Sequence, residues 1–126
     1  MSDNPFNIIG GEKPNLGSAV ETVPGEDLKA KIENLINSSD LFVFIKGTPQ
    51  APMCGFSANT IGILNQYGIS FNTFDILTDM DIRQGVKDYS NWPTFPQIYW
   101  KGKLLGGNDI LMEMHEDQEL EAVFKS

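Results

Sequence analysis

The run LFVFI at residues 41–45 constrains this chain more than any other feature. A short, unbroken, β-rich apolar run suits a strand covered on both faces, and such strands lie in sheets flanked by helices. Ahead of it, EDLKAKIENLINSS (26–39) sets Leu28, Ile32, Leu35 and Ile36 at helical spacing, an amphipathic first helix. Behind it, the loop KGTPQAPMC leads into GFSANTIGILNQYG (55–68), a helix with Ile61, Leu64 and Tyr67 inward and a stop at Gly68. SFNTFDI (70–76) reads as a second strand. DMDIRQGVKDYS (79–90) reads as a helix with acids in its first turn and bases later, which suits its dipole. PQIYW (96–100) and KLLGG (103–107) flank the turn KGK and form a hairpin, and NDILMEM (108–114) and EDQELEAVFK (116–125) supply closing helices.

The order is therefore α-β-α-β-α-β-β-α-α. A β-α-β start demands a parallel crossover, and the hairpin adds an antiparallel strand. The predicted fold class is α/β: a thioredoxin-like arrangement, with a mixed four-stranded sheet flanked by helices on both faces. At 126 residues the chain suits one domain with a real core. Composition changes near Pro24. Before it lie Pro5, Gly10, Gly11, Pro14 and Gly17 without sustained periodicity, so residues 1–24 read as a flexible N-terminal arm, with docking of FNIIG as a short strand the lesser option. Residues 25–126 read as the folded domain.

With 9 Lys and Arg against 17 Asp and Glu, the net charge is −8, which argues against a nucleic-acid or anionic-membrane partner. No stretch approaches the roughly 20 apolar residues of a membrane span, and the N-terminus has neither a basic region nor an apolar core of a signal peptide. The expected compartment is cytoplasmic. A single cysteine excludes an internal disulfide and suits a reducing environment.

That cysteine, Cys54, falls where the loop after LFVFI enters the next helix. Unpaired backbone N–H groups and the positive end of the helix dipole stabilise a thiolate there, and Lys46 at the strand exit adds positive charge. A lone cysteine is often a small buried hydrophobe. The Pro- and Gly-rich approach and the helix start favour a reactive or metal-ligating thiol instead.

KGTPQAPMCGFS, FDILTDMDIRQGVKDYS and SNWPTFPQIYWKGKLLGGNDI together resemble the monothiol, CGFS-type glutaredoxin family, in the right order from about Gly25 to the C-terminus. With no thioredoxin-like unit ahead of it, the chain resembles the single-domain branch. The resemblance implies that Cys54 is the active thiol, with Ser57 where dithiol relatives carry a resolving cysteine. It implies a cis bond before Pro96 in Thr94-Phe95-Pro96, leaving the Phe95 backbone free to pair with the cysteine of glutathione. Lys46 and Arg83 would hold a glutathione carboxylate. N–H groups after Gly107, at Asn108 and Asp109, would receive the γ-glutamyl carboxylate, and the Asp109 side chain its ammonium. Each has a plainer reading: Arg83 and Lys87 as solvated helix charges, Asp109 as a helix N-terminal acid, Phe95 as core and Gly106-Gly107 as a turn. Many relatives carry Cys or Ser where Asn108 stands; Asn can still cap a helix. Trp92-Pro93 reads as scaffold, His115 as a surface residue, and Met112 and Met114 as packing.

A [2Fe–2S] cluster wants four thiolates, one chain supplies one, and a symmetric homodimer supplies two. Two bound glutathiones would complete the set. The resemblance implies cluster carriage and iron homeostasis, often with BolA-like protein partners and iron–sulfur acceptors. The competing expectation is a glutathione-dependent oxidoreductase acting on mixed disulfides. The absent resolving cysteine and the long GTPQAP segment make that at most a weak activity. A pure adaptor that binds its partner without metal is the third option.

Overall fold

The structure is a computed structural model and describes residues 24–126. The expected N-terminal arm up to Val23, with the option of a docked FNIIG strand, lies outside the described residues. Helix α1 (Pro24–Ile36) precedes strand β1 (Leu41–Ile45), and helix α2 (Gly55–Asn65) leads to β2 (Asn72–Asp75). Helix α3 (Met80–Ser90), the β3 (Gln97–Trp100)–β4 (Lys103–Gly106) hairpin, α4 (Asn108–Glu116) and α5 (Leu120–Phe124) follow. The sheet order is β2-β1-β3-β4; β1 runs parallel to β2 and antiparallel to β3, and β4 is antiparallel to β3. This is the thioredoxin-like α/β fold, with the expected element order.

Every residue of β1 is buried, and its side chains alternate between two cores. Phe42 and Phe44 point to one face, against Ile32 and Ile36 of α1 and Ile82 and Val86 of α3. Leu41, Val43 and Ile45 point to the other, against Ile61 and Leu64 of α2, Leu111 of α4 and Leu120 of α5. Each such burial contributes about 1.5–3 kcal/mol before chain entropy is counted. Phe44 meets Phe42, Phe74, Phe95 and Tyr99 edge-on, with centroid distances of 5.0–6.4 Å. The core thus reaches directly under the loop that carries Phe95.

Element ends differ from the sequence reading for local reasons. Helix α1 stops at Ile36, and the Ser38 hydroxyl then donates to the Leu35 carbonyl at 2.7 Å. β3 begins at Gln97, after Pro96, which has no N–H to give a ladder and whose preceding bond is cis. β2 spans only residues 72–75 at the sheet edge. The last expected helix, 116–125, is divided: α4 keeps Glu116, Gln118 adopts a φ of 61°, and α5 runs only from Leu120 to Phe124. Lys101 and Gly102, with φ of 50° and 85°, close the hairpin.

Candidate functional site

Four segments converge on one end of the sheet. The first is the exit of β1. The Lys46 N–H donates to the Ser57 hydroxyl at 3.1 Å, and the Lys46 carbonyl accepts from the Met53 N–H at 2.8 Å. Thr48 and Ala51 exchange backbone bonds, and Gly47 pairs with Pro52 in an isolated bridge, so the loop is itself a small closed turn. Gly47 has a φ of +97°, and a Cβ there would sit 2.5 Å from the Ala51 carbonyl oxygen. Only glycine fits that position. The loop delivers Cys54 to the N-cap of α2, in extended conformation and partly exposed.

The thiol of Cys54 is held below its ordinary value. The N–H of Ser57 acts most strongly; that of Phe56, the charge of Lys46 and the Ser57 hydroxyl add to it, while burial pushes the other way. The side chain makes no formed cap bond, so these first-turn groups serve the charged sulfur rather than the neutral one. Its chain neighbours Met53 and, one residue beyond Gly55, Phe56 are 69% and 60% exposed, which leaves apolar surface around the thiol.

Helix α3 is the second segment. Its N-cap, Asp79, accepts from the Ile82 N–H at 3.0 Å, and the helix presents Arg83 and Lys87 one turn apart. The third is the stretch from Trp92 to Pro96. Here the buried Gln97 amide donates to the Trp92 and Thr94 carbonyls at 3.1 and 3.2 Å, while its oxygen accepts from the Tyr99 hydroxyl at 2.9 Å. The fourth is the start of α4, where Gly107 is the N-cap and Asn108 and Asp109 follow.

Between them lies a groove of about 440 Å³. Every residue singled out from sequence lines it: Lys46, Cys54, Arg83, Thr94, Phe95, Pro96, Gly107, Asn108 and Asp109. Lys87, Phe56 and Ile110 also line it and carry no site role in the sequence reading. The signal for Lys87 was its spacing of four from Arg83, which puts both on one helix face. Three cations against one carboxylate make the groove locally cationic in a chain of net charge −8.

Three residues depart from their sequence reading. Asn108 does not cap α4; its carbonyl oxygen accepts from Asn59 Nδ2 and Thr60 Oγ1, both at 2.9 Å, tying α4 to α2. A polar side chain buried between two helices takes the partners that saturate it. His115 is half-buried, with Nδ1 2.5 Å from the Tyr67 hydroxyl, because α4 packs its inner side on α2. Met114 packs in the core as expected, whereas Met112 is exposed and its sulfur accepts from Asn108 Nδ2 at 3.4 Å. Trp92 is half-buried, and its indole nitrogen has no partner.

The glutaredoxin family model matches residues 41–105, from β1 to the hairpin. The chain is 52% identical over 115 residues to monothiol glutaredoxin-S11 of Oryza sativa subsp. japonica, covering 90% of itself and 23% of that protein. It is 48% identical over 99 residues to a monothiol glutaredoxin of Synechocystis sp., covering 79% of itself and 92% of that relative. The chain belongs to the glutaredoxin family. Both of these relatives are named as monothiol members, and against the rice protein the chain spans about a quarter of the length. Among solved structures, that of a buckwheat glutaredoxin–glutathione complex is similar with a TM-score of 0.69 and 26% identity, covering 79% of this chain and 88% of that one. Among the described residues, no helix is long and apolar enough to cross a membrane.

Proposed function

We propose that this glutaredoxin binds glutathione in the groove and, as a pair of copies, carries a [2Fe–2S] cluster that it hands to acceptor proteins. The observation that carries the reading is the lone cysteine, thiolate-favouring and partly open, at the mouth of a cationic groove. Glutathione offers two carboxylates, one ammonium and a thiol. Lys46 and Arg83 suit the glycine-end carboxylate, the N–H groups at Asn108 and Asp109 the γ-glutamyl carboxylate, and the Asp109 side chain the ammonium. Phe95 lines the same groove, and its backbone would pair with the cysteine of a ligand laid along it. The buckwheat complex with glutathione supports this ligand class.

The donor set decides how a cluster could be held. Among the described residues no group of three or more His, Cys, Asp or Glu could hold a metal, so one chain offers a single thiolate, Cys54. Two copies and two glutathiones supply the four thiolates that such a cluster takes. The exposed Met53 and Phe56 beside Cys54 suit close approach of a second copy or of a protein partner, such as a BolA-like protein or an acceptor. The work is iron–sulfur assembly and iron homeostasis in the reducing cytoplasm.

Cys54 also favours a second activity, because a depressed thiol pKa makes a better nucleophile near neutral pH. Its thiolate would attack the glutathione sulfur of a mixed disulfide and release the substrate thiolate. A second glutathione thiolate would then attack the Cys54–glutathione bond, releasing oxidised glutathione and restoring Cys54.

Anaerobic reconstitution with iron, sulfide and glutathione separates the two, read by visible absorption and size-exclusion chromatography. The carrier reading expects a coloured dimer that falls to colourless monomer when glutathione is omitted or in Cys54→Ser. A colourless monomer that turns over mixed disulfides would replace it with the oxidoreductase.

A further inference from the structure

The strands β1 and β2 end side by side, with Ile45 in register with Asp75. From there one carboxylate oxygen spans both exits: Asp75 Oδ1 accepts from the Gly47 N–H and from the Leu77 N–H, each at 2.9 Å. The Gly47 N–H belongs to the bend that no other residue can make, immediately after Lys46. From Lys46 the hydrogen bonds run on, its carbonyl to the Met53 N–H and its own N–H to the Ser57 hydroxyl. Asp75 is half-buried and lies outside the groove lining, so it touches no ligand placed there. The carboxylate is the only link in this set that comes from outside β1, its loop and α2.

We propose that Asp75 is a positioning residue for the groove: by gripping the Gly47 N–H it fixes where Lys46 and the Met53–Cys54 corner stand. A loop of eight residues from Lys46 through Met53 has many closed conformations, and one acceptor on a rigid strand end selects among them. The role belongs to the oxygen as an acceptor, not to the negative charge. Asn at this position keeps an acceptor of the same shape, whereas Ala removes it.

The affinity part of this inference rests on the glutathione reading above; the hydrogen-bond part does not. Two variants test it, Asp75→Asn and Asp75→Ala, in the cluster-free full chain. The first readout is amide hydrogen exchange by NMR at Gly47 and Met53, with Val43 and Phe44 of β1 as internal controls. The second is glutathione binding by calorimetry. Asp75→Ala is expected to speed exchange at Gly47 and Met53 while the β1 amides hold, and to weaken glutathione about tenfold, as loss of a supporting partner does. Asp75→Asn is expected to keep both within about twofold, on the same grounds. Unchanged Gly47 exchange in Asp75→Ala overturns the proposal, as does equal damage in Asn and Ala. Should the Ala variant fail to fold, Asp75→Asn decides alone: retained protection at Gly47 supports the acceptor role and lost protection refutes it. Wild-type protein that binds no glutathione would sink the ligand reading and leave the exchange comparison to judge Asp75.

Discussion

Gln97 stands behind the groove, and replacing it with leucine tests whether that wall is held by hydrogen bonds or only by packing. The side chain is fully buried and saturated: two bonds to the Trp92 and Thr94 carbonyls, one from the Tyr99 hydroxyl. Gln97→Leu keeps similar bulk and strands all three partners. The Tyr99 residue is 2% exposed and its hydroxyl loses its acceptor, a cost of about 1–3 kcal/mol less whatever the nearby Ser90 hydroxyl recovers. The two carbonyls belong to a partly open stretch and lose only the net bond, about 0.5–1.5 kcal/mol each. Leucine recovers part of this by burying apolar surface, leaving a net destabilisation of about 2–3 kcal/mol. For a domain of this size that lowers Tm by about 10–20 °C. Urea unfolding followed by fluorescence measures it, and the double variant with Tyr99→Phe makes the sharper check. Removing both partners relieves the stranded hydroxyl, so the pair should be more stable than the sum of the singles by about 1 kcal/mol. A Gln97→Leu protein within about 0.5 kcal/mol of wild type, or strictly additive singles, would refute the reasoning.

Other expectations follow from the same geometry. Lys46→Ala and Asp109→Ala should each weaken glutathione and shorten cluster lifetime, read by calorimetry and decay of visible absorption; unchanged loss rates in both would sink the assigned pocket. Gly85→Ala places a methyl 2.8 Å from Leu28 Cδ2 and 2.9 Å from Ile32 Cδ1, so those side chains must repack at the α1–α3 contact, at about 1–3 kcal/mol, measured by chemical denaturation. Burial foremost raises the Tyr99 phenol from 10.0 to about 12. A raised folded value means that its contribution is whole below pH 10 and is lost as pH climbs through about 12. Wild-type stability should therefore fall over that window, more steeply than in Tyr99→Phe, in pH-stepped denaturation. Cys54 titrates the other way: its folded value is depressed, so its contribution is present above the unfolded value and lost as pH falls through the folded one. Iodoacetamide labelling should accordingly reach its plateau at lower pH than for a free thiol, and at higher pH in Lys46→Ala.

What could be read from the chain and what could not divides along a physical line. LFVFI announced its place because burial on both faces leaves a redundant signal: five apolar positions all say the same thing, and all five are buried. Cys54 was legible because its environment is made by backbone, a loop turning into a helix, and backbone geometry is written in Gly, Pro and the apolar period. Asn108 and His115 were not, because their roles are set by partners 48 or 49 residues away, Asn59, Thr60 and Tyr67. Asn108 sits one place inside the helix start, so its side chain was free to choose between the helix end and the neighbouring helix, and α2 offered two donors. Gly107, with no side chain, took the cap position and lines the groove. The same logic hid Asp75 and Gln97. A polar residue at a strand end reads as solvent-facing, yet both sit where two segments leave the sheet with unpaired backbone groups. Strand exits on a β-α-β sheet make a site because backbone groups run out of ladder partners there. Some of those groups must be satisfied by side chains, and the rest remain to receive a ligand.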